Sequence, residues 1–147
     1  MKGRMKMNSK KIMVGVDESP DALKAFRYAI QEARHEMAEL LIVSILEEQK
    51  INVYQSMDKN YWEKEMEALK ERCAAYKKEA LEYGVVRVTA LVDKGNPGEL
   101  IVNKYIPAYE PDLMIIGAKS TSRIRNFFGS QAAYMARYAK ISTTIIR

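Results

Sequence analysis

The sequence predicts an α/β fold in which a five-stranded parallel sheet is covered by helices on both faces. Short apolar runs alternate along the chain with longer amphipathic segments, and a strand-like run is followed by a helix-like segment four times before a last strand. Strands buried on both faces are apolar almost throughout, and parallel neighbours need a crossover connection, which is usually a helix. A length of 147 residues is typical of a single domain.

The first strand is predicted in the run IMVGV at 12–16, which ends at Asp17. A helix should begin at Ser19 and Pro20, because serine is a favoured N-cap residue and proline suits the first helical position. Apolar residues spaced three and four apart indicate its buried face: Leu23, Phe26, Ile30, Ala33 and Met37. The run ELLIVSIL at 39–46 predicts the second strand.

Residues 47–60 are polar and irregular, and we expect a loop there that is long enough to be functional. A longer helix should follow and end at Gly84, since glycine commonly closes helices. Its apolar stripe is indicated by six residues: Trp62, Met66, Leu69, Cys73, Tyr76 and Ala80. The run VVRVTALV at 85–92 predicts the third strand.

The last third of the chain predicts two helices and two strands. A helix should open at 96–98 with the sequence Asn-Pro-Gly and be kinked or ended by Pro107. The run DLMIIG, which ends at Gly117, predicts the fourth strand, and a helix should start at Ser130. The sequence TTIIR at 143–147 predicts the fifth strand. No internal repeat or low-complexity segment interrupts this order.

The two ends of the chain carry a net positive charge, and the middle carries a net negative charge. The formal net charge is +5, but residues 1–11 carry five basic groups and no acid, and residues 113–147 carry six more and no acid. Residues 12–112 have a net charge of −6. A nucleic-acid-binding protein should show a broad basic face, so specific nucleic-acid binding is not expected. We interpret residues 1–10 as a disordered basic leader and residues 11–147 as the domain, because no apolar stretch typical of a signal peptide follows the charges.

Several other kinds of chemistry are not indicated. No apolar run approaches the ~20 residues of a membrane span, and the single cysteine, Cys73, excludes an internal disulfide and fits a reducing cytoplasm. We interpret Cys73 as a buried thiol, because it falls on an apolar helical stripe. The only histidine, His35, lies in the polar part of the first helix, so neither a metal cluster nor a catalytic triad is predicted. No P-loop motif is present.

The segment after the fourth strand has the features of an anion site. Gly117 is followed by a loop rich in serine, threonine and basic residues, and a helix-like segment begins at Gly129 and Ser130. The first N–H groups of a helix have no intrahelical partner and lie at the positive end of its dipole. Ligands of such sheets bind outside the carboxyl ends of the strands, where the strand order reverses. If the first and fourth strands are neighbours, Asp17 and this cationic loop form the two sides of a nucleotide pocket.

Three segments resemble the universal stress protein family. They are KKIMVGVDESPDALKAFRYA at 10–29, DKGNPGELI at 93–101, and PDLMIIGAKS at 111–120 followed after eight residues by GSQAAYMARYAKISTTIIR. The resemblance implies the Rossmann-like, adenine nucleotide alpha hydrolase-like fold with strand order 3-2-1-4-5. It also implies a homodimer in which the last strands of two subunits pair antiparallel. In many members, ATP with Mg²⁺ binds beside strands 1 and 4.

Site residues follow from the resemblance by position. Asp17 would face the ribose and adenine side, and Ile45 would contact the adenine. Val16, which precedes Asp17, is a further candidate for binding. The triphosphate would be lined by the backbone amide of Gln131 and by four further residues: Gly117, Ser120, Gly129 and Ser130. Lys119, in the same loop, could add positive charge. No metal ligand and no catalytic residue is implied, so we expect little or no ATP hydrolysis.

The chain departs from the family pattern at two points inside the loop. Ser120 stands where nucleotide-binding members have a second glycine, and the segment before Gly129 is one residue shorter. The predicted function is that of a dimeric, ATP-binding regulatory protein of the stress response. The alternative is a nucleotide-free member that acts as a protein-interaction module. A third possibility, an enzyme acting on an adenylated or phosphorylated small molecule, lacks an evident acid/base pair or nucleophile.

Overall fold

A computed structural model describes residues 10–47, 58–119 and 129–147. The sheet consists of β1 (Lys11–Gly15), β2 (Glu39–Glu47), β3 (Arg87–Gly95), β4 (Leu113–Gly117) and β5 (Ser142–Ile146). All neighbouring strands are parallel and the order is β3-β2-β1-β4-β5, which confirms the predicted fold class and strand order. The first nine residues of the predicted leader and residues 48–57 of the predicted loop lie outside the described residues.

The helices lie on both faces of the sheet. They are α1 (Pro20–Glu36), α2 (Lys59–Tyr83), α3 and α4 (Ser130–Tyr138), and α3 is built from Pro97–Leu100, the π-helical stretch Ile101–Tyr105 and Ile106–Tyr109. One core cluster joins the sheet to α1 and α2, and the other joins it to α3 and α4. In β1 the fully buried Ile12 and Val14 belong to the first cluster and Met13 to the second. The unbroken apolar run at 12–14 therefore reflects a strand that is covered on both sides.

Helix α1 begins as predicted and ends one residue earlier than its apolar pattern indicates. Ser19 is the N-cap, and its Oγ accepts a hydrogen bond of 3.2 Å from the N–H of Ala22. Phe26, on the predicted face, is 2% exposed, whereas Met37 is 74% exposed. Met37 has a left-handed backbone (φ 56°) and closes the helix, so the prediction that it lies on the buried face is wrong.

The turn between α2 and β3 explains a shift in the third strand. Gly84 (φ 111°) caps α2 as predicted, and the N–H of Val85 bonds back to the carbonyl of Ala80 over 3.1 Å. Val85 is therefore buried in the capping turn, and Val86 is 70% exposed. The strand runs from Arg87 to Gly95 instead of 85–92, because Val85 belongs to the turn that closes the helix and the pairing with β2 starts at Arg87.

The sequence predicts that Pro107 kinks or ends helix α3, but the helix continues through Pro107 to Tyr109. A proline inside an α-helix lacks an N–H donor, and its ring clashes with the carbonyl four residues earlier. The π-helical stretch just before Pro107 widens the turn, and the N–H of Ile106 bonds to the carbonyl of Ile101, five residues back. The wider turn moves the preceding carbonyl groups out of α-helical register with the proline ring.

None of the helices in the described ranges is long and apolar enough to cross a membrane.

Candidate functional site

A cleft opens at the carboxyl ends of β1, β2 and β4, between the starts of α3 and α4. The neighbours of β1 are β2 on one side and β4 on the other, so the strand order reverses at this point. Open α/β sheets bind their ligands at such a switch point. The position of the cleft therefore follows from the topology of the chain.

Seven of the nine predicted site residues line this cleft: Val16, Asp17, Ile45, Gly117, Lys119, Gly129 and Gln131. Ser130 is exposed in the first turn of α4 and does not belong to the lining of the cleft. Ser120 lies outside the described residues. The fold thus brings together residues from positions 16 to 131, and their role in binding stays a prediction.

The backbone around Asp17 is held by bonds that extend the pairing of β1 with β2. The N–H of Val16 donates to the carbonyl of Val43 over 2.9 Å, and the buried hydroxyl of Ser44 donates to the carbonyl of Val16 over 2.7 Å. The N–H of Ser19 donates to Oδ1 of Asp17 over 2.7 Å. One oxygen of the carboxylate is therefore held by the backbone that follows the strand end.

Gly117 allows the end of β4 to touch the first turn of α1. A Cβ atom at this position would lie 2.7 Å from the backbone N of Ala22 and 2.7 Å from the carbonyl carbon of Asp21. Real Cβ contacts of that length do not occur without a backbone shift. Glycine is thus required here for a close approach of two elements, in addition to its place in the lining of the cleft.

The segment that follows Gly117 is tied to three neighbouring elements. The N–H of Ala118 donates to the carbonyl of Ile146 over 2.8 Å, and its own carbonyl accepts from the N–H of Gly129 over 2.9 Å. The hydroxyl of Ser19 donates to the carbonyl of Lys119 over 3.3 Å. These bonds fix both ends of the segment whose middle, 120–128, is not described.

The first turn of α4 presents backbone N–H groups at the edge of the cleft. Gly129 is the N-cap and provides no side-chain bond, and the first backbone bond inside the helix runs from the N–H of Ala133 to the carbonyl of Gly129. The N–H groups of Ser130, Gln131 and Ala132 precede that bond, at the positive end of the helix dipole. In contrast, Asn96 caps α3 through a 3.1 Å bond from the N–H of Glu99.

The opposite end of the cleft is mainly apolar. Val43, Ile45 and Glu47 alternate along β2 and line the cleft together, facing Ile101 of α3 and Met135 of α4. The sequence prediction missed Glu47 and Ile101. Glu47 could have been found, because it follows Ile45 by two residues and a strand places such residues on one face. Ile101 could not, since its position depends on how α3 crosses the sheet.

Two residues that we considered for other chemistry lie away from the cleft. The side chain of Cys73 is 2% exposed, and burial raises the pKa of its thiol, although a hydrogen bond with Ser44 and the charge of Arg72 act in the opposite direction. This confirms the interpretation of Cys73 as a buried thiol. His35 is exposed on α1. Across the described ranges, no group of three or more His, Cys, Asp or Glu side chains is arranged to hold a metal ion.

Comparison with known proteins gives a family match over most of the chain. The family model described as "Universal stress protein family" matches residues 8–147. Curated relatives from Staphylococcus haemolyticus and Staphylococcus aureus, which carry universal stress protein names, are 27% identical over 139 residues, covering 94% of this chain and 84% of theirs.

Solved structures share the fold. The universal stress protein UspA from Lactobacillus plantarum has a TM-score of 0.82 at 22% identity, covering 95% of this chain and 99% of that one. A universal stress protein from Archaeoglobus fulgidus in complex with dAMP has a TM-score of 0.65 at 22% identity, covering 94% and 98%. An Arabidopsis thaliana family protein with AMP bound has a TM-score of 0.64 at 17% identity, covering 93% and 90%.

Proposed function

The chain belongs to the universal stress protein family, and we propose that it is a regulatory protein that binds an adenine nucleotide in the cleft at the ends of β1 and β4. One observation carries the proposal. The ends of β1 and β2, the segment after β4 and the first turn of α4 converge on one cleft, which is lined mainly by apolar side chains and Glu47 along β2 and which has Lys119 and the first N–H groups of α4 at the other end. A nucleotide has the same division between its base and its phosphates.

The base and the sugar would occupy the end formed by β1 and β2. Ile45 and Ile101 offer apolar contact to an adenine ring, and both line the cleft. Asp17 stands at the boundary with its carboxylate oriented by Ser19. A carboxylate in this place accepts hydrogen bonds from ribose hydroxyl groups, as the acidic residue of other nucleotide-binding α/β folds does.

The phosphates would occupy the end formed by β4 and α4. The N–H groups of the first turn of α4 and the ammonium group of Lys119 are the donors there. Solved family members have been determined with dAMP and with AMP bound. We propose ATP with Mg²⁺ as the ligand of this chain, and the metal would then arrive on the phosphates.

We further propose a homodimer formed by antiparallel pairing of two β5 strands, and a location in the cytoplasm. In the described part of the chain, β5 pairs with β4 alone, so one side of this strand is open for another chain. We expect little or no hydrolysis of ATP. The protein would act by presenting a different surface to unknown protein partners in its nucleotide-bound state.

Thermal unfolding with and without ligand tests the nucleotide site. A ligand at 100 times its Kd stabilises the folded state by about 2.7 kcal/mol, which raises the melting midpoint of a domain of this size by several degrees. We expect Mg-ATP and AMP to raise the midpoint and GTP to leave it unchanged. Lys119→Gln should weaken ATP binding about tenfold, because a charged donor to a phosphate is removed.

A matched substitution controls for the loss of one positive charge. Lys140 is exposed between α4 and β5 and does not line the cleft, so Lys140→Gln should bind ATP as the wild type does. If millimolar Mg-ATP and AMP both leave the midpoint of the wild type unchanged, the proposal is wrong. The alternative, a nucleotide-free interaction module, would then replace it. The serine at position 120, in place of the family's second glycine, would then be a sign that the loop no longer binds nucleotide.

A further inference from the structure

The side chain of Gln131 joins the starts of two helices. Its Oε1 accepts a hydrogen bond of 2.7 Å from the backbone N–H of Gly98, in the first turn of α3. Gly98 is a buried residue, and the bond itself is partly buried. A side chain of α4 therefore supplies part of the N-terminal cap of α3.

The approach of the two helices depends on the absence of a side chain at position 98. A Cβ atom there would lie 2.8 Å from Oε1 of Gln131 and 3.0 Å from Cδ1 of Tyr134. With Asn96 bonded to the N–H of Glu99 and Gln131 bonded to that of Gly98, the donors of this first turn are satisfied. Pro97, before them, has no N–H group. The first turn of α3 thus has no free N–H group left to bind an anion.

The bond to Gly98 fixes the orientation of the carboxamide. An N–H group bonds to the oxygen of a glutamine side chain and not to its nitrogen, so Oε1 is assigned by its partner. What the side chain has left for a ligand is its NH₂ group, with two donor hydrogens. Gln131 lines the cleft together with Pro97 and Ile101 of α3 and with Lys119 and Gly129.

We propose that Gln131 is a specificity-determining residue of the cleft: its side-chain oxygen caps α3, and its NH₂ group donates a hydrogen bond to an acceptor oxygen of the bound nucleotide where the ribose meets the first phosphate. The inference rests on the proposed nucleotide-binding function. It gives the side chain a part in recognition, whereas the family pattern implies a role for the backbone amide alone.

Gln131→Glu separates the two roles of the side chain. A glutamate keeps an oxygen acceptor for the N–H of Gly98 and replaces the NH₂ donor by a second oxygen. We expect the melting midpoint without ligand to stay within about 2 °C of the wild type, because the cap is retained. The Kd for AMP, measured by titration calorimetry, should rise about tenfold or more, because a donor is lost and an acceptor faces an acceptor.

A second variant and a second ligand keep the test decisive. Gln131→Met removes both roles without adding charge, so it should lower the midpoint and also weaken AMP binding. Repeating the titrations in 1 M salt, where the Debye length is about 3 Å, suppresses simple repulsion between the new carboxylate and the phosphate. Adenosine identifies the acceptor: weaker binding of adenosine and AMP alike places it on the ribose, and weaker binding of AMP alone at high salt places it on the phosphate.

Gln31→Glu is the matched control. Gln31 is exposed on α1 and does not line the cleft, so this substitution should leave the Kd for AMP unchanged. If Gln131→Glu binds AMP within twofold of the wild type, Gln131 is only a cap and the inference is wrong. If the wild type binds neither AMP nor ATP, the inference and the proposed function fail together. The binding of the wild type therefore distinguishes the two failures.

Discussion

Gly117 and Gly15 stand at the ends of neighbouring strands, and the reasons for glycine differ between them. At Gly117 the nearest atoms to an added Cβ are backbone atoms of α1, at 2.7 Å. At Gly15 the nearest atom is the side-chain Cδ1 of Ile101, at 3.6 Å, which is an ordinary contact distance. The sequence pattern presents both simply as glycines close to a strand end.

Gly117→Ala should destabilise the protein by roughly 1–3 kcal/mol, because two backbones must move apart to admit a methyl group. Gly15→Ala should change the free energy of unfolding by no more than about 0.5 kcal/mol, since the methyl group fills available space. Urea unfolding followed by circular dichroism measures both. Equal effects of the two substitutions would show that the contact between β4 and α1 is looser than the structure indicates.

Helix α3 contains a π-helical stretch that is bonded to the neighbouring strand β3. Its π-helical stretch is attached to β3 at Asp93, whose Oδ2 accepts a 2.6 Å bond from the hydroxyl of Tyr105 and a 2.8 Å bond from Nζ of Lys104. Ile101, at the start of the same stretch, lines the cleft. The attachment therefore holds one wall of the candidate nucleotide site.

The Asp93 attachment predicts a dependence of stability on pH. Burial acts to raise the pKa of Asp93, but hydrogen bonds from Lys104, Tyr105 and the backbone of Lys94 outweigh it and hold the pKa below its ordinary value. A carboxylate with a lowered pKa stabilises the folded state above the unfolded pKa of about 3.9, and this contribution disappears as the pH falls through the lower folded value. Asp93→Asn should be less stable than the wild type at pH 7.

The difference in unfolding free energy between the wild type and Asp93→Asn should narrow as the pH is lowered from 4 toward 2, as measured by urea unfolding at each pH. Glu82 is exposed on α2, so Glu82→Gln serves as the control. The unfolding free energy of this variant should depend on pH as that of the wild type does. A constant difference over that interval would mean that Asp93 is not the group that titrates in the folded protein.

The sheet has two edges, β3 and β5, and the proposed dimer forms through β5. Residues 143–147 contain no acid, and the side chains of Thr144, Ile145 and Ile146 are partly buried in the single chain. Ile146 packs against the α1 side of the sheet and Ile145 against the α3 and α4 side. A second β5 would extend both layers of the core across the dimer axis.

Thr144→Lys should convert the proposed dimer to a monomer of 16.9 kDa, because a charge on an edge strand opposes pairing with another strand. Thr89→Lys makes the same change on the β3 edge and should leave the dimer intact. Sedimentation equilibrium at micromolar concentration measures both, with the wild type at twice the monomer mass. A wild type that sediments as a monomer, or dissociation by Thr89→Lys and not by Thr144→Lys, would overturn the assignment of the interface.

The alternation of apolar runs and amphipathic segments determines the elements and the sheet, since burial on both faces and helix periodicity are local properties of the chain. Capping chemistry likewise locates the starts of α1 at Ser19 and of α3 at Asn96. The family resemblance adds the strand order and part of the set of residues that line the cleft. These features need only neighbours along the chain or a motif of fixed spacing.

Tertiary structure alone decides what depends on contacts between distant segments. The steric requirement at Gly117, the passage of α3 through Pro107, the Asp93 attachment and the bond from Gln131 to Gly98 all join elements far apart in sequence. Helix periodicity and capping reflect interactions within one element. They do not include its contacts with the element packed against it. For this protein, the sequence predicts where the cleft forms, and packing decides which atoms line it.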